Sequence, residues 1–90
     1  MSEQDYKQDW VEVIELGEYG WDWDLFQAHY SPSARRYFWD RQWGCSCDGW
    51  EDPGPGGWES GDRQALIRAV RENDGKPEDI REVQLFKESA

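Results

Sequence analysis

Trp21-Asp22-Trp23-Asp24-Leu25 alternates apolar and charged side chains with a strict period of two. Side chains along a strand point to opposite faces in turn, so this run reads as a strand. Phe26, Ala28 and Tyr30 then continue on the parity of Asp22 and Asp24, not on that of the tryptophans. Two arrangements reconcile the halves: a bulge near Leu25-Phe26, or a strand buried on both faces. Ser31-Pro32-Ser33-Ala34 is a turn with proline early in it. Residues 35–43 return as a second strand with Tyr37, Trp39, Arg41 and Trp43 on one parity. Pairing Tyr30 with Arg35 sets Ala28 opposite Tyr37, Phe26 opposite Trp39 and Asp24 opposite Arg41. An aromatic pair then stands beside an ion pair on one face, which favours a hairpin.

Upstream, residues 1–8 are polar and expected to fray. Trp10 to Leu16 is short, apolar and β-branched, a further strand, and Gly17-Glu18-Tyr19-Gly20 punctuates it. Downstream, residues 48–61 carry five glycines and two prolines. Such a segment is a loop, and its length marks it as mobile or functional. Asp62 suits the N-cap of a helix over residues 63–73, with Leu66, Ile67, Ala69 and Val70 as its buried stripe. Gly75 suits a left-handed cap after it. Pro77 opens a final element: Ile80, Val83 and Phe86 have helical spacing, while Val83 and Leu85 also fit a strand. The expected fold is α+β, a small antiparallel sheet of about three strands packed on one or two helices. It forms a single domain over residues 9–90.

Fourteen aromatics outnumber eleven aliphatic Val, Ile and Leu residues in a chain of 90. A domain this small has few interior positions, so some of those rings are expected at the surface. The net charge of −10 is unevenly spread. Residues 1–34 hold eight acids and one base, 35–47 three arginines and one acid, and 48–62 five acids and no base. Two acidic blocks therefore flank a basic island at Arg35, Arg36 and Arg41. That balance disfavours direct binding of nucleic acid and favours a partner with a basic surface. Plain solubility is the ordinary alternative. No apolar run spans a membrane, and the acidic start resembles neither a signal nor a transit peptide, so a cytoplasmic location is expected.

Equipment for catalysis is sparse. One histidine stands without a nucleophile at a recognised spacing, and no phosphate loop or dinucleotide fingerprint is present. The chain is expected not to be an enzyme and to need no cofactor. Cys45 and Cys47 are the candidate metal ligands, too few for a four-ligand zinc site within one chain. His29 falls at the other end of the hairpin. A zinc site shared between two copies and a redox switch stand beside the simple reading of small thiols in a turn. Spacing by two on a strand sends both thiols to one face but disfavours a disulfide between them. Tryptophans beside acids carry more information, because tryptophan is enriched at binding hot spots and loops present it readily. The expected contact residues are Trp21, Asp22, Trp23, Asp24, Trp50, Glu51, Asp52 and Trp58. For Trp50 and Trp58 the alternative is folding back to cover the sheet.

Asp24-Leu25-Phe26, Arg36-Tyr37-Phe38-Trp39 and Gly44-Cys45-Ser46-Cys47 followed by Trp50-Glu51-Asp52 resemble a family of small actinobacteriophage proteins with a Gly-Cys-Ser-Cys motif. The resemblance spans residues 9–70. It departs after Cys47, where Asp48-Gly49 precedes Trp50 and the prolines fall later. It implies no activity. It implies a phage accessory protein in the host bacterial cytoplasm, of a kind that binds host machinery for takeover or anti-defence; the acidic residues of this chain add nucleic-acid mimicry as a specific form of that binding. The alternative is a structural or assembly protein with a paired-cysteine zinc site at a subunit interface.

Overall fold

The computed structural model describes residues 5–18, 20–47 and 49–88. After a short 3-10 turn at Asp5–Lys7 come strands β1 (Val11–Glu18), β2 (Asp22–Ser31), β3 (Arg36–Cys45) and β4 (Glu59–Gly61). Helices α1 (Arg63–Glu72) and α2 (Pro77–Leu85) follow. The four strands form one antiparallel sheet in the order β1-β2-β3-β4. The α+β class therefore stands, with a fourth strand drawn from the end of the Gly/Pro-rich segment.

The expected hairpin forms, but its register differs by two residues. Tyr30 faces Tyr37, Ala28 faces Trp39, Phe26 faces Arg41 and Asp24 faces Trp43. The turn is the cause. β2 runs on to Ser31, Arg35 takes a left-handed φ of 54°, and its N–H donates to the Ser31 carbonyl at 2.8 Å. A shift by two preserves parity, so the same side chains share a face. Arg41 still reaches Asp24 diagonally, with Nε to Oδ1 at 3.0 Å.

No irregularity interrupts β2 and β3 near Leu25-Phe26. The bulge lies in β1 instead, between Glu12 and Ile14, leaving Val13 as the extra residue. β2 is instead buried on both sides. On one side Phe26, Ala28, Tyr30, Tyr37 and Trp39 pack with Ile14 against Leu66, Ile67, Val70 and Val83 of the helices. Leu66, Val70 and Val83 have no exposed surface, and each such burial contributes roughly 1.5–3 kcal/mol relative to exposure. On the other side Trp23 and Leu25 are buried as well, and Phe38 stacks under Trp10. That second face is covered by the start of the chain and by the loop after β3.

Local chemistry sets the helix ends. The Asp62 carboxylate accepts from the Ala65 N–H at 2.8 Å, an N-cap. Pro77 occupies the first turn of α2, and the Asp79 carboxylate accepts from the Lys76 N–H at 2.8 Å. α1 ends in a Schellman turn: the Gly75 N–H donates to the Val70 carbonyl at 2.8 Å. The left-handed residue there is Asp74, with φ 61°, and not Gly75. Gly75 is needed for a different reason, since a Cβ would lie 2.2 Å from Val70 Cγ1. Gly17, inside β1, combines both demands. Its φ is 98°, and a Cβ would stand 1.8 Å from the Asp24 carbonyl oxygen.

Arg63 joins the layers. Its guanidinium donates to the Tyr37 hydroxyl (3.1 Å), the Gln84 carbonyl (2.6 Å) and the Phe86 carbonyl (2.8 Å), and it pairs with Glu88. One side chain thereby ties the start of α1 to β3 and to the end of α2. Burial, together with the hydrogen bond to Glu88, pushes the Tyr37 hydroxyl far above its ordinary pKa.

Candidate functional site

The expected contact residues divide between two places. Trp21, Asp22 and Asp24 lie at the open end of the hairpin. Trp23, Trp50, Asp52 and Trp58 lie on the opposite face, within the second cover.

At the open end, Trp21 is 86% exposed just before β2, and Trp43, facing Asp24 across the ladder, is 72% exposed. Arg41, two residues before Trp43 on the same face, has its guanidinium 5.7 Å from the Trp43 ring centre and bonded to Asp24. That hydrogen bond outweighs the opposing effect of burial and holds the Asp24 carboxyl below the usual range. The pair is exposed, so its value to stability is small, roughly 0.2–1 kcal/mol for such pairs. Its effect on shape is larger, because it fixes one carboxylate and one ring at the corner.

Beside this corner opens a cleft of about 580 Å³ between the sheet and the α1–α2 connection. Glu15, Glu18, Asp22, Asp24, Asp74, Glu78 and Asp79 line it, against Arg41 and Lys76. Seven carboxylates converge there from two stretches that are distant in sequence, residues 15–24 and 74–79. The acidic blocks were visible in the chain, but Asp74, Glu78 and Asp79 come from a charge-balanced stretch. Only the packing of α2 against β1 brings them in. Trp43 was not among the expected contact residues, although it is exposed beside them. Its parity with Asp24 was the signal, since both registers put the two on one face.

Trp23 is a correction to the expected contact set. It is 4% exposed, and its Nε1–H donates to the Cys45 carbonyl at 2.9 Å. For Trp58, 8% exposed, the alternative holds: it folds back over the sheet. Its ring meets Trp10 edge-on at 5.2 Å and His29 at 5.5 Å, with Trp50 at 6.1 Å. Trp50 is half-buried beside it. Asp52 is turned inward, accepting from the Tyr6 hydroxyl and the Gly54 N–H and pairing with Lys7. Burial works to raise the Asp52 carboxyl, but the Lys7 and Tyr6 bonds prevail and hold it far below its ordinary pKa. Glu51 is exposed, and its backbone is clamped to the Gln42 side chain through two hydrogen bonds.

Lys7 anchors the whole arrangement. Its ammonium lies 5.9 Å from the Tyr6 ring centre, 5.9 Å from that of Trp10 and 5.4 Å from that of Trp58. Three rings and a carboxylate around one cation make a cation–π cage, filled by the chain's own lysine. Tyr6 and Lys7, within the stretch expected to fray, make these contacts. Residues 1–4 lie outside the described residues. His29 sits within these rings, and burial, aided by the nearby Lys7 charge, lowers its pKa below 6.5.

Cys45 ends β3, and Cys47 lies in the turn beyond it, both exposed. Their sulfurs are 2.7 Å apart. Two sulfurs sharing a tetrahedral zinc at about 2.3 Å each stand about 3.8 Å from one another, so the pair is not spread for a metal. His29 faces Phe38, seven residues up β3 from Cys45, or about 23 Å at the rise of a strand. Among the described residues no three His, Cys, Asp or Glu side chains gather as a metal site. None of the helices is long and apolar enough to cross a membrane, again among the described residues. Comparison with protein-family models, curated proteins and solved structures gives no match.

Proposed function

We propose that this protein is a non-enzymatic binding protein, a phage accessory factor that engages a basic surface on a host protein in the bacterial cytoplasm. The observation that carries the reading is the acidic cleft beside the exposed Trp21 and Trp43. Carboxylates steer a basic partner, and two protruding indoles supply the apolar anchors that charge alone lacks. Asp24, kept ionised by Arg41, is charged throughout the physiological range. The contact set becomes Trp21, Trp43, Asp22 and Asp24, with Glu15 and Glu18 behind them. Glu51 remains at the far edge of the same end, where it lines a shallow recess with Trp23 and Trp43.

Nucleic-acid mimicry is the specific form of this proposal. The cleft's carboxylates would then occupy a groove that holds phosphates. Interactions between exposed charges are screened beyond about 8 Å at physiological ionic strength, so affinity of this kind falls steeply with added salt.

The test is capture of partners from a bacterial lysate by wild type and two double variants, Trp21→Ala/Trp43→Ala and Asp22→Asn/Asp24→Asn. Loss of the same basic protein by both variants supports the reading. Unchanged capture by both would remove the corner from consideration. For mimicry, the captured complex is eluted on a salt gradient, and binding that is indifferent to salt rejects that form.

A further inference from the structure

We infer that Cys45 and Cys47 form a thiol–disulfide exchange site that reacts with a low-molecular-weight disulfide of the glutathione class. The site is separate from the acidic corner and does not depend on its role.

Strand spacing alone argues against a bond between these residues, because it would hold both thiols extended on one face. The structure removes that objection. β3 ends at Cys45, and Ser46 and Cys47 turn. The turn folds the second thiol back until the sulfurs are 2.7 Å apart, inside the contact distance of two unbonded sulfur atoms. Cys45 itself is held in place, since its carbonyl accepts from the indole of the buried Trp23. The backbone of Cys45 is thus fixed at the end of a paired strand, and the turn carries the Cys47 sulfur to that of Cys45. Both are exposed, so a small disulfide can reach them. Exposed or strained disulfides have the more oxidising potentials and are the labile, exchangeable ones. The resting dithiol is the expected form in a reducing cytoplasm, and the closed form follows a rise in oxidised thiol.

The chemistry runs in two displacements. One thiol, deprotonated, attacks a sulfur of the external disulfide; the S–S bond breaks, and a small thiolate leaves with the electron pair. The second thiol, also deprotonated, attacks the protein sulfur of that mixed disulfide. The Cys45–Cys47 bond forms, and the second small thiolate leaves. Two protein thiols lose two protons and two electrons, and the external disulfide becomes two thiols.

Reduced, desalted protein incubated with glutathione disulfide and read by intact mass tests this. Wild type is expected to lose two hydrogens, keep no glutathione, and regain both thiols on treatment with dithiothreitol. Cys45→Ser and Cys47→Ser, confirmed folded by circular dichroism, are each expected to retain one glutathione, because the resolving thiol is gone. Wild type that ends with retained glutathione, with a covalent dimer or with an unchanged mass overturns the inference.

Discussion

Replacing Trp58 with alanine removes the centre of the second cover while leaving the helix-packed core intact. The indole is 8% exposed, meets Trp10 and His29 edge-on, carries the closest ring to Lys7 and donates from Nε1 to the Tyr6 hydroxyl at 2.9 Å. Truncating a buried tryptophan to alanine costs about 3–5 kcal/mol, and we take about 4 here. A chain of this length has roughly 5–13 kcal/mol in all, so the variant should fold with a much reduced margin. With a urea slope of about 1.3 kcal/mol/M, the midpoint should fall by about 3 M. Trp58→Phe keeps a ring but loses the donor, at a cost of about 1 kcal/mol, so its midpoint should fall by less than about 1 M. A second readout is specific to place. With Trp58 gone, His29 is less buried, and its pKa should rise toward 6.5 in a proton NMR titration. A midpoint within about 0.5 M of wild type, with an unchanged His29 titration, would refute the account of Trp58 as an anchor.

Arg63→Ala should cost about 2–3 kcal/mol, because it strands the Tyr37 hydroxyl and two carbonyls near the end of α2. Thermal melting should show a loss of about 10–20 °C, and Arg63→Lys should recover little, since an ammonium cannot span three acceptors as a planar fork does. Stability should also fall as pH is lowered below 6.5. His29 titrates below that value in the native state, so the unfolded chain takes up its proton first. Its contribution is whole above pH 6.5 and is lost as pH falls through the native pKa. Urea midpoints between about pH 8 and 5 should trace this loss, and His29→Gln should flatten it.

How much was legible in the chain depends on whether a feature repeats. The faces of β2 and β3 follow from period two, and a register error of two residues leaves that unchanged. α1 follows from Leu66, Ile67 and Val70 and from Asp62, all local signals, whereas after Pro77 helix and strand spacing both fit and the packing of Val83 decides for helix. The register itself depended on the left-handed Arg35, which no local pattern announces. The burial of Trp23 and Leu25 was legible only as one of two arrangements, because the segment that covers them has no period. Glycines and prolines read as a loop, and nothing in their order says that Trp58, Asp52 and Tyr6 will lock it to the sheet. The acidic cleft was half legible: Glu15, Glu18, Asp22 and Asp24 stand in one acidic block, but their partners arrive only through the packing of α2. Cys45 and Cys47 were visible as a pair, whereas the turn that brings their sulfurs together depends on where β3 stops.

The simple order of the sheet has a kinetic consequence. Every strand lies beside its neighbour in sequence, so the β1–β2 and β2–β3 pairings close short loops and cost little chain entropy, and only β3–β4 closes a longer one. The sheet can zip outward from the β2–β3 hairpin with no long-range search. The tie between Tyr6 and Asp52 is different, since it joins points 46 residues apart. It also needs the sheet as its floor, so it closes after the strands have met. Lys7, Tyr6 and Trp58 thus act as a latch set late in folding. They slow the opening of the finished fold more than they speed its assembly.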